Sequence, residues 1–352
     1  MLKRFFASGV GIVGLSCLVA LLLIGLSHIG TGNTPVAQAA TSKIIVAQDG
    51  SGNYKTVQAA VNAVPANNTT RVVIYIKNGT YTEVVTVPTN KPYITFYGQN
   101  EQKTIITYNN YHGKAMPGGG TFGTGTSASV FIEASNFNAY NLTFQNTAGK
   151  VAQAVAINVT GDRALFNQCQ FLGWQDTLYA HTGRQYYVNS YIAGNIDYVF
   201  GDATAVFEKT NFYSTGGGSD AITAQNRASA SETTGYVLNN DTITGAIANA
   251  TVLGRPWGPY SRVIVMNSSL GANIEAVGWK NWSTADYHKT AYYAEYNNTG
   301  PGSNTSGRVS WSHQLTVQQA TQYSVNNFLN QDGWLTTEQN YLTSVIAAGF
   351  PA

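Results

Sequence analysis

The spacing of apolar and polar positions changes along this chain. Ile44-Ile45-Val46-Ala47 is an unbroken apolar run, the pattern of a short strand. Asp49 to Asn53 carries Gly and Ser and reads as a turn. Residues 54, 57, 60, 61 and 64 are then apolar, which is helical spacing, and Pro65 ends it. A strand from Val72 to Lys77 and a turn at Asn78-Gly79 follow. The only other helical signal runs from about Thr336 to Ala348.

Between the two helices an irregular repeat appears. A polar residue precedes an apolar one by three positions, at the end of a strand-like run. The pairs are Asn141/Phe144, Gln168/Phe171, Asn189/Ile192, Lys209/Phe212, Asn240/Ile243 and Asn267/Leu270, with steps of 27, 21, 20, 31 and 27 residues. Repeats of this size, rich in strand formers, predict a solenoid of the parallel β-helix kind. Asn at four of the six polar positions suits bends that need a left-handed backbone. The expected fold class is therefore all-β, a parallel β-helix with the helix after Tyr54 capping its open edge and a helical C-terminal tail. A β-sandwich with uneven hairpins is the alternative, and the near absence of two-residue Asn-Gly hairpin signals disfavours it.

A coil of just over 20 residues has a chemical consequence. Gln153, Asp176 and Asp197 lie 23 and 21 residues apart. On such a coil they would occupy neighbouring rungs, about 4.8 Å apart. Two carboxylates and a carboxamide would then share one face, close enough to share a proton and a substrate.

Composition narrows the setting. Only 10% of residues are charged, while Gly (36) and Tyr (22) are abundant, which favours a sheet-rich exported protein. Lys3 and Arg4 precede an apolar stretch to Ile29, and Ala37-Gln38-Ala39 offers a small-x-small cleavage site. Residues 1–39 read as a secretory signal and 40–352 as one domain. The same apolar stretch is long enough to span a membrane if left uncleaved. Cleavage would remove two bases and no acid, leaving 17 of each sign and no basic field for nucleic acid. The mature chain would keep one cysteine, Cys169, read as a small core residue, and no disulfide within the chain is possible. Export without disulfides points to a bacterial, Gram-positive type of protein. A monomer is expected, because solenoid rungs contact only their neighbours.

Five short runs stand in a fixed order: Gly79-Thr80-Tyr81-Thr82-Glu83, Gln153-Ala154-Val155-Ala156-Ile157, Gln175-Asp176-Thr177-Leu178-Tyr179, Asp197-Tyr198-Val199-Phe200-Gly201 and Leu253-Gly254-Arg255-Pro256-Trp257. With them the chain resembles the pectin methylesterase family of carbohydrate esterases, over about Ile44 to Trp334. The resemblance implies a right-handed parallel β-helix that removes methyl esters from polygalacturonate, without a cofactor. It implies that Asp197 is the nucleophile, that Arg255 holds it, and that Asp176 is the general acid and then the base. Gln153 and Gln175 match amide donors to the tetrahedral oxyanion. Thr126, Tyr179, Phe200 and Trp257 match residues that meet the sugar chain, with Trp279 and Tyr111 as further aromatic candidates. Gly79 and Glu83 are expected to hold the fold and take no part in chemistry.

The residues fit that chemistry on their own terms. A carboxylate can form an acyl intermediate, and two close carboxylates tend to split into one protonated and one ionised. No His pair, Cys set or Asp-x-Asp-x-Asp loop suggests a metal site. No Gly-x-Ser-x-Gly elbow suggests a serine nucleophile. The rivals are a β-helix glycosidase using the same two aspartates, a family esterase with a substrate other than pectin, and a non-catalytic carbohydrate-binding β-helix.

Overall fold

The computed structural model describes residues 42–216, 220–282 and 285–347, all within one compact unit. The signal read at residues 1–39 lies outside them. Three parallel sheets wrap one interior. The first has 11 strands, from Ser42–Val46 to His313–Gln314. The second has seven, from Val85–Val87 to Thr251–Gly254. The third has eight, from Gly79–Thr82 to Ser269–Leu270. One coil shows the plan. Leu178–Ala180 lies in the second sheet, Arg184–Val188 in the first and Tyr191–Gly194 in the third. Val199–Gly201 then pairs in parallel with Leu178–Ala180, one rung on. This is the parallel β-helix expected.

The repeat marks one corner of that coil. Asn141, Gln168, Asn189, Lys209, Asn240 and Asn267 all have φ between 50° and 62°. Their apolar partners stack in register from Phe144 through Phe171, Ile192, Phe212 and Ile243 to Leu270, each fully buried. A left-handed residue turns the strand sharply, and the side chain three positions on drops into the core. Asn297 (φ 50°) makes the same bend, but Gly300 stands where an apolar partner was sought, so the pattern missed it. Inside, Phe166, Tyr187 and Phe207 stack at 4.8 Å per step, and Cys169 is a buried core residue as read.

The N-terminal helix is Val57–Ala63, shorter than its periodicity suggested. Thr56 caps it, and the Glu83 carboxylate accepts from the Val57 and Gln58 amides at 2.8 and 2.9 Å. Val57, Ala60 and Val61 close the core at that end. Gly79 opens a strand and is not the second residue of a turn. At the other end of the chain, Val317–Thr321, Val325–Phe328 and Trp334–Ala347 are helices. Leu329, Trp334 and Leu335 pack on the outer face of the first sheet, against Tyr140, Leu165 and Val206. A buried Arg71–Glu338 pair (2.5 Å), joined by the Asn138 amide at 2.6 Å, fixes the last helix there. The spacing predicts the tail helix only from Thr336, and the two shorter helices leave no signal because about one turn shows no period.

Candidate active site

The candidate site lies on the second sheet. Leu178 pairs with Val199, so the residues two places before each, Asp176 and Asp197, lie on adjacent rungs. Both have a left-handed backbone (φ 62° and 49°), and their amides donate to Ile196 and Ala221 on the next rung at 3.0 and 2.7 Å. Both are buried, 8% and 5% exposed. One rung earlier, the Ala154 amide donates to the Gln175 carbonyl (3.0 Å), and the Gln153 carbonyl accepts from the His112 amide (2.8 Å). That pins Gln153 and Gln175 next to the aspartates. All four line one cleft of about 270 Å³ with Arg255.

The two carboxyls differ in their partners. Arg255 Nε and Nη2 donate to the two oxygens of Asp197 at 2.9 and 2.5 Å, a bidentate clamp. Burial raises the Asp197 pKa above the ordinary carboxyl value, and the Arg255 contacts pull it back. Asp176 has no such clamp. Burial, then the neighbouring Asp197 charge, push its pKa well above the ordinary value, against a smaller pull from Arg255. The two shifts make Asp197 the more readily ionised of the pair and let Asp176 keep its proton to higher pH. An arginine-clamped carboxyl, an unclamped carboxyl and two glutamines then line one cavity.

An aromatic wall runs along the same face. Tyr179 stacks on Phe200 at 4.2 Å, and Phe200 meets Trp257 at 6.0 Å. Ala128, Val155 and Ala224 fill behind them. His181 extends the stack, 4.0 Å from Tyr179, with Nδ1 against the Asn158 Oδ1 (3.3 Å). Sequence reasoning passed over it as one of several scattered histidines. Alternation places it on the face of Tyr179, two residues along.

Three expected contacts fall elsewhere. Thr126 uses its hydroxyl within its own loop, accepting from Gly123 N (2.9 Å) and donating to Gly123 O (3.1 Å). Thr124 and Gly125 are the members of that loop that line the cleft. Trp279 is fully buried, with Nε1 on Glu295 (3.3 Å), and serves the core. Tyr111 is absent from the cleft lining, and Trp282, three residues after Trp279, is present in it. Trp282 lies 4.4 Å from the Arg255 guanidinium. Its closeness to Arg255 depends on a loop path that no periodicity announces. Among the described residues, no group of three or more His, Cys, Asp or Glu could hold a metal ion.

Fold and cleft together define a carbohydrate-active enzyme built on a parallel β-helix. The pectinesterase family model matches residues 43–332, and the chain belongs to that family. It is 43% identical to "Pectinesterase 31" of Arabidopsis thaliana over 84% of this chain and 94% of that one. The solved pectin methylesterase from carrot aligns with a TM-score of 0.80 and 38% identity, over 85% of this chain and 96% of that one. A pectin methylesterase solved in complex with a hexasaccharide aligns at 0.71 and 26% identity, over 83% and 98%. Other Arabidopsis relatives named as both pectinesterase and pectinesterase inhibitor are longer, and this chain spans about half their length. The plant relatives lend no support to a bacterial source.

Proposed function

We propose that this protein hydrolyses the methyl esters of polygalacturonate, giving methanol and pectate. The ionised Asp197 attacks the ester carbonyl carbon, and the Gln153 and Gln175 amides donate to the resulting oxyanion. Each such donor is commonly worth about 3 kcal/mol in the transition state. The bond to the methoxy oxygen breaks, and Asp176 gives that oxygen its proton, so methanol leaves and an anhydride links substrate to Asp197. Asp176, now ionised, takes a proton from water as the water attacks the anhydride. Collapse returns Asp197 as a carboxylate and frees a galacturonic acid, which gives its proton to solvent and leaves as galacturonate. Tyr179, Phe200 and Trp257 offer flat apolar platforms to the pyranose faces.

The observation that carries this reading is the asymmetry of the pair, since Arg255 clamps Asp197 and leaves Asp176 unclamped. A glycosidase acid would gain nothing from an arginine held on its partner and two amides beside it. The same proposal places the enzyme outside the cell as a monomer, after cleavage behind Ala39. The basic, apolar and small-residue order of residues 3–39 supports export. No helix among the described residues is long and apolar enough to cross a membrane. The decisive assay follows methanol and new reducing ends from highly methylated pectin. Methanol alone is expected. Reducing ends without methanol would move both aspartates to glycosidic cleavage, and neither product would leave a binding module or a different ester.

A further inference from the structure

Among the described residues Arg71, Arg184, Arg255 and Arg308 each make two hydrogen bonds to one carboxylate, and Arg308 and Arg255 are held in different ways. Arg308 grips Glu295 with Nε and Nη2 at 2.7 and 3.0 Å. Its remaining N–H groups reach the carbonyls of Glu275, Ala276 and Gly302, and the pair is 4% and 1% exposed. Backbone fixes that guanidinium on every side. The Arg255 guanidinium makes its two bonds to Asp197 and no other hydrogen bond among the described residues, and the side chain is 28% exposed. An arginine tied by one carboxylate alone can swing about that edge. What meets its open face is the Trp282 ring, 4.4 Å from the guanidinium carbon.

The loop that carries Trp282 is built onto the arginine's own rung. Trp279 bridges Gly254 in parallel, and the Lys280 amide donates to the Gly254 carbonyl at 3.1 Å. Arg255 follows directly, with its amide on the Thr223 carbonyl at 2.9 Å. The Asn281 side chain then ties the turn, donating to the Ala285 carbonyl (2.6 Å) and accepting from the His288 amide (3.1 Å). Trp282 packs on the cluster that contains Phe200 and Ala224. It thus has its own support and does not depend on Arg255 for its place.

We propose that Trp282 is a positioning residue for the reaction, holding the Arg255 guanidinium flat so that both of its donors stay on Asp197. The inference rests on the esterase reading above. An indole face attracts a guanidinium and keeps water off it, which strengthens the charge-assisted bonds at its edge. A sugar platform at the same place would act differently: its loss weakens polymer binding and leaves the chemical step alone.

The test compares Trp282→Phe, which keeps an aromatic face, with Trp282→Leu, which keeps apolar bulk without one. Methanol release from methylated pectin is followed for kcat and KM from acid to neutral pH. In W282L, kcat is expected to fall by about tenfold with KM nearly unchanged. The acid limb should move up by about half a unit to one unit, because a loosened Arg255 favours the ionised form of Asp197 less. The charged and titratable groups facing Asp197 are Arg255, Asp176 and the Tyr293 phenol, and none is altered by the substitution. W282F should return most of both losses. On an Arg255→Lys background, W282L should cost much less than on wild type, since the clamp it supports is already gone. A raised KM with kcat and acid limb unmoved would overturn the inference and leave Trp282 a sugar platform. Equal loss in W282F and W282L would overturn it too. A wild-type protein that releases no methanol brings down the esterase reading and this inference with it, whereas wild-type turnover with an unmoved W282L profile brings down this inference alone.

Discussion

Two corners of the same coil use one backbone device for opposite ends. Where the first sheet turns into the third, Asn189, Asn240 and Asn267 sit in the left-handed region, exposed to solvent. Several bond rung to rung: the Asn189 amide to Asn167, Asn267 to Asn239 and Asn297 to Asn267, at 3.0 to 3.2 Å. Where the third sheet turns into the second, Asp176 and Asp197 take up the same conformation, yet they are buried. A short polar residue suits a left-handed bend in both places. Water and the amide ladder satisfy the first corner. At the second the carboxyls are buried, so they act on each other and on Arg255. An aspartate can therefore be both a turn residue and a reactive group, and burial decides which property matters.

The sharpest way to break the comparison is to convert the second corner to the first. Asp197→Asn keeps a residue that tolerates φ 49°, so the coil should stay intact. Methanol release should fall by at least about 10⁴-fold, as expected for a lost nucleophile. A mutant with near wild-type turnover would show that the reactive carboxylate lies elsewhere. Asp176→Asn should cost less, roughly 10²- to 10⁴-fold, since it removes proton transfer and leaves the attack. Gln175→Ala should follow at about 10²-fold, falling on kcat more than on KM. Circular dichroism should be unchanged in all three, which separates chemistry from folding.

The pH profile sharpens the contrast between the two aspartates. On the proposed mechanism Asp197 attacks in its ionised form, so the acid limb would mark its deprotonation. Burial raises its pKa, and the limb should lie above an isolated aspartate's 3.8. On the same mechanism Asp176 gives its proton to methanol, so the alkaline limb would mark its loss. Burial and the Asp197 charge raise it further, which places the active window between the two. Arg255→Gln removes the group that lowers Asp197, so the remaining activity should show its acid limb at higher pH. A limb that stays put or moves down would contradict the clamp. Both limbs belong to the coupled pair, so Asp176→Asn should disturb the acid limb as well.

Much of this was legible in the sequence, for a physical reason. A coil must bend at the same corner in every turn, and bending needs a residue of one kind followed by an inward apolar one. That requirement wrote six pairs into the chain, and their spacing put Gln153, Asp176 and Asp197 on neighbouring rungs. Local periodicity does not encode where loops go. Thr124 and Gly125 reach the cleft where Thr126 was expected, and Trp282 lines it where Trp279 was expected. Those residues sit on connections whose course is set by tertiary contacts, such as the Gly254–Trp279 bridge, and a single sequence shows no sign of these. Short helices escaped for the related reason that a single turn has no period to detect.

The smallest expected effect closes the comparison from the other side. Asn240 has φ 57° and is exposed. Asn240→Ala should destabilise the fold by about 1 kcal/mol, because a Cβ without a compensating polar group is strained in the left-handed region. Asn240→Gly should cost less, since glycine enters that region freely and loses mainly chain entropy on folding. Urea unfolding of the three proteins would order them Asn and Gly above Ala, with kcat on pectin the same throughout. If Asn240→Ala altered kcat, the two corners would be coupled mechanically through the coil, and the bend could no longer be treated as scaffold. If Ala were as stable as Asn, backbone strain would not be what selects Asn at this corner. The rung-to-rung amide bonds would then be the reason it recurs.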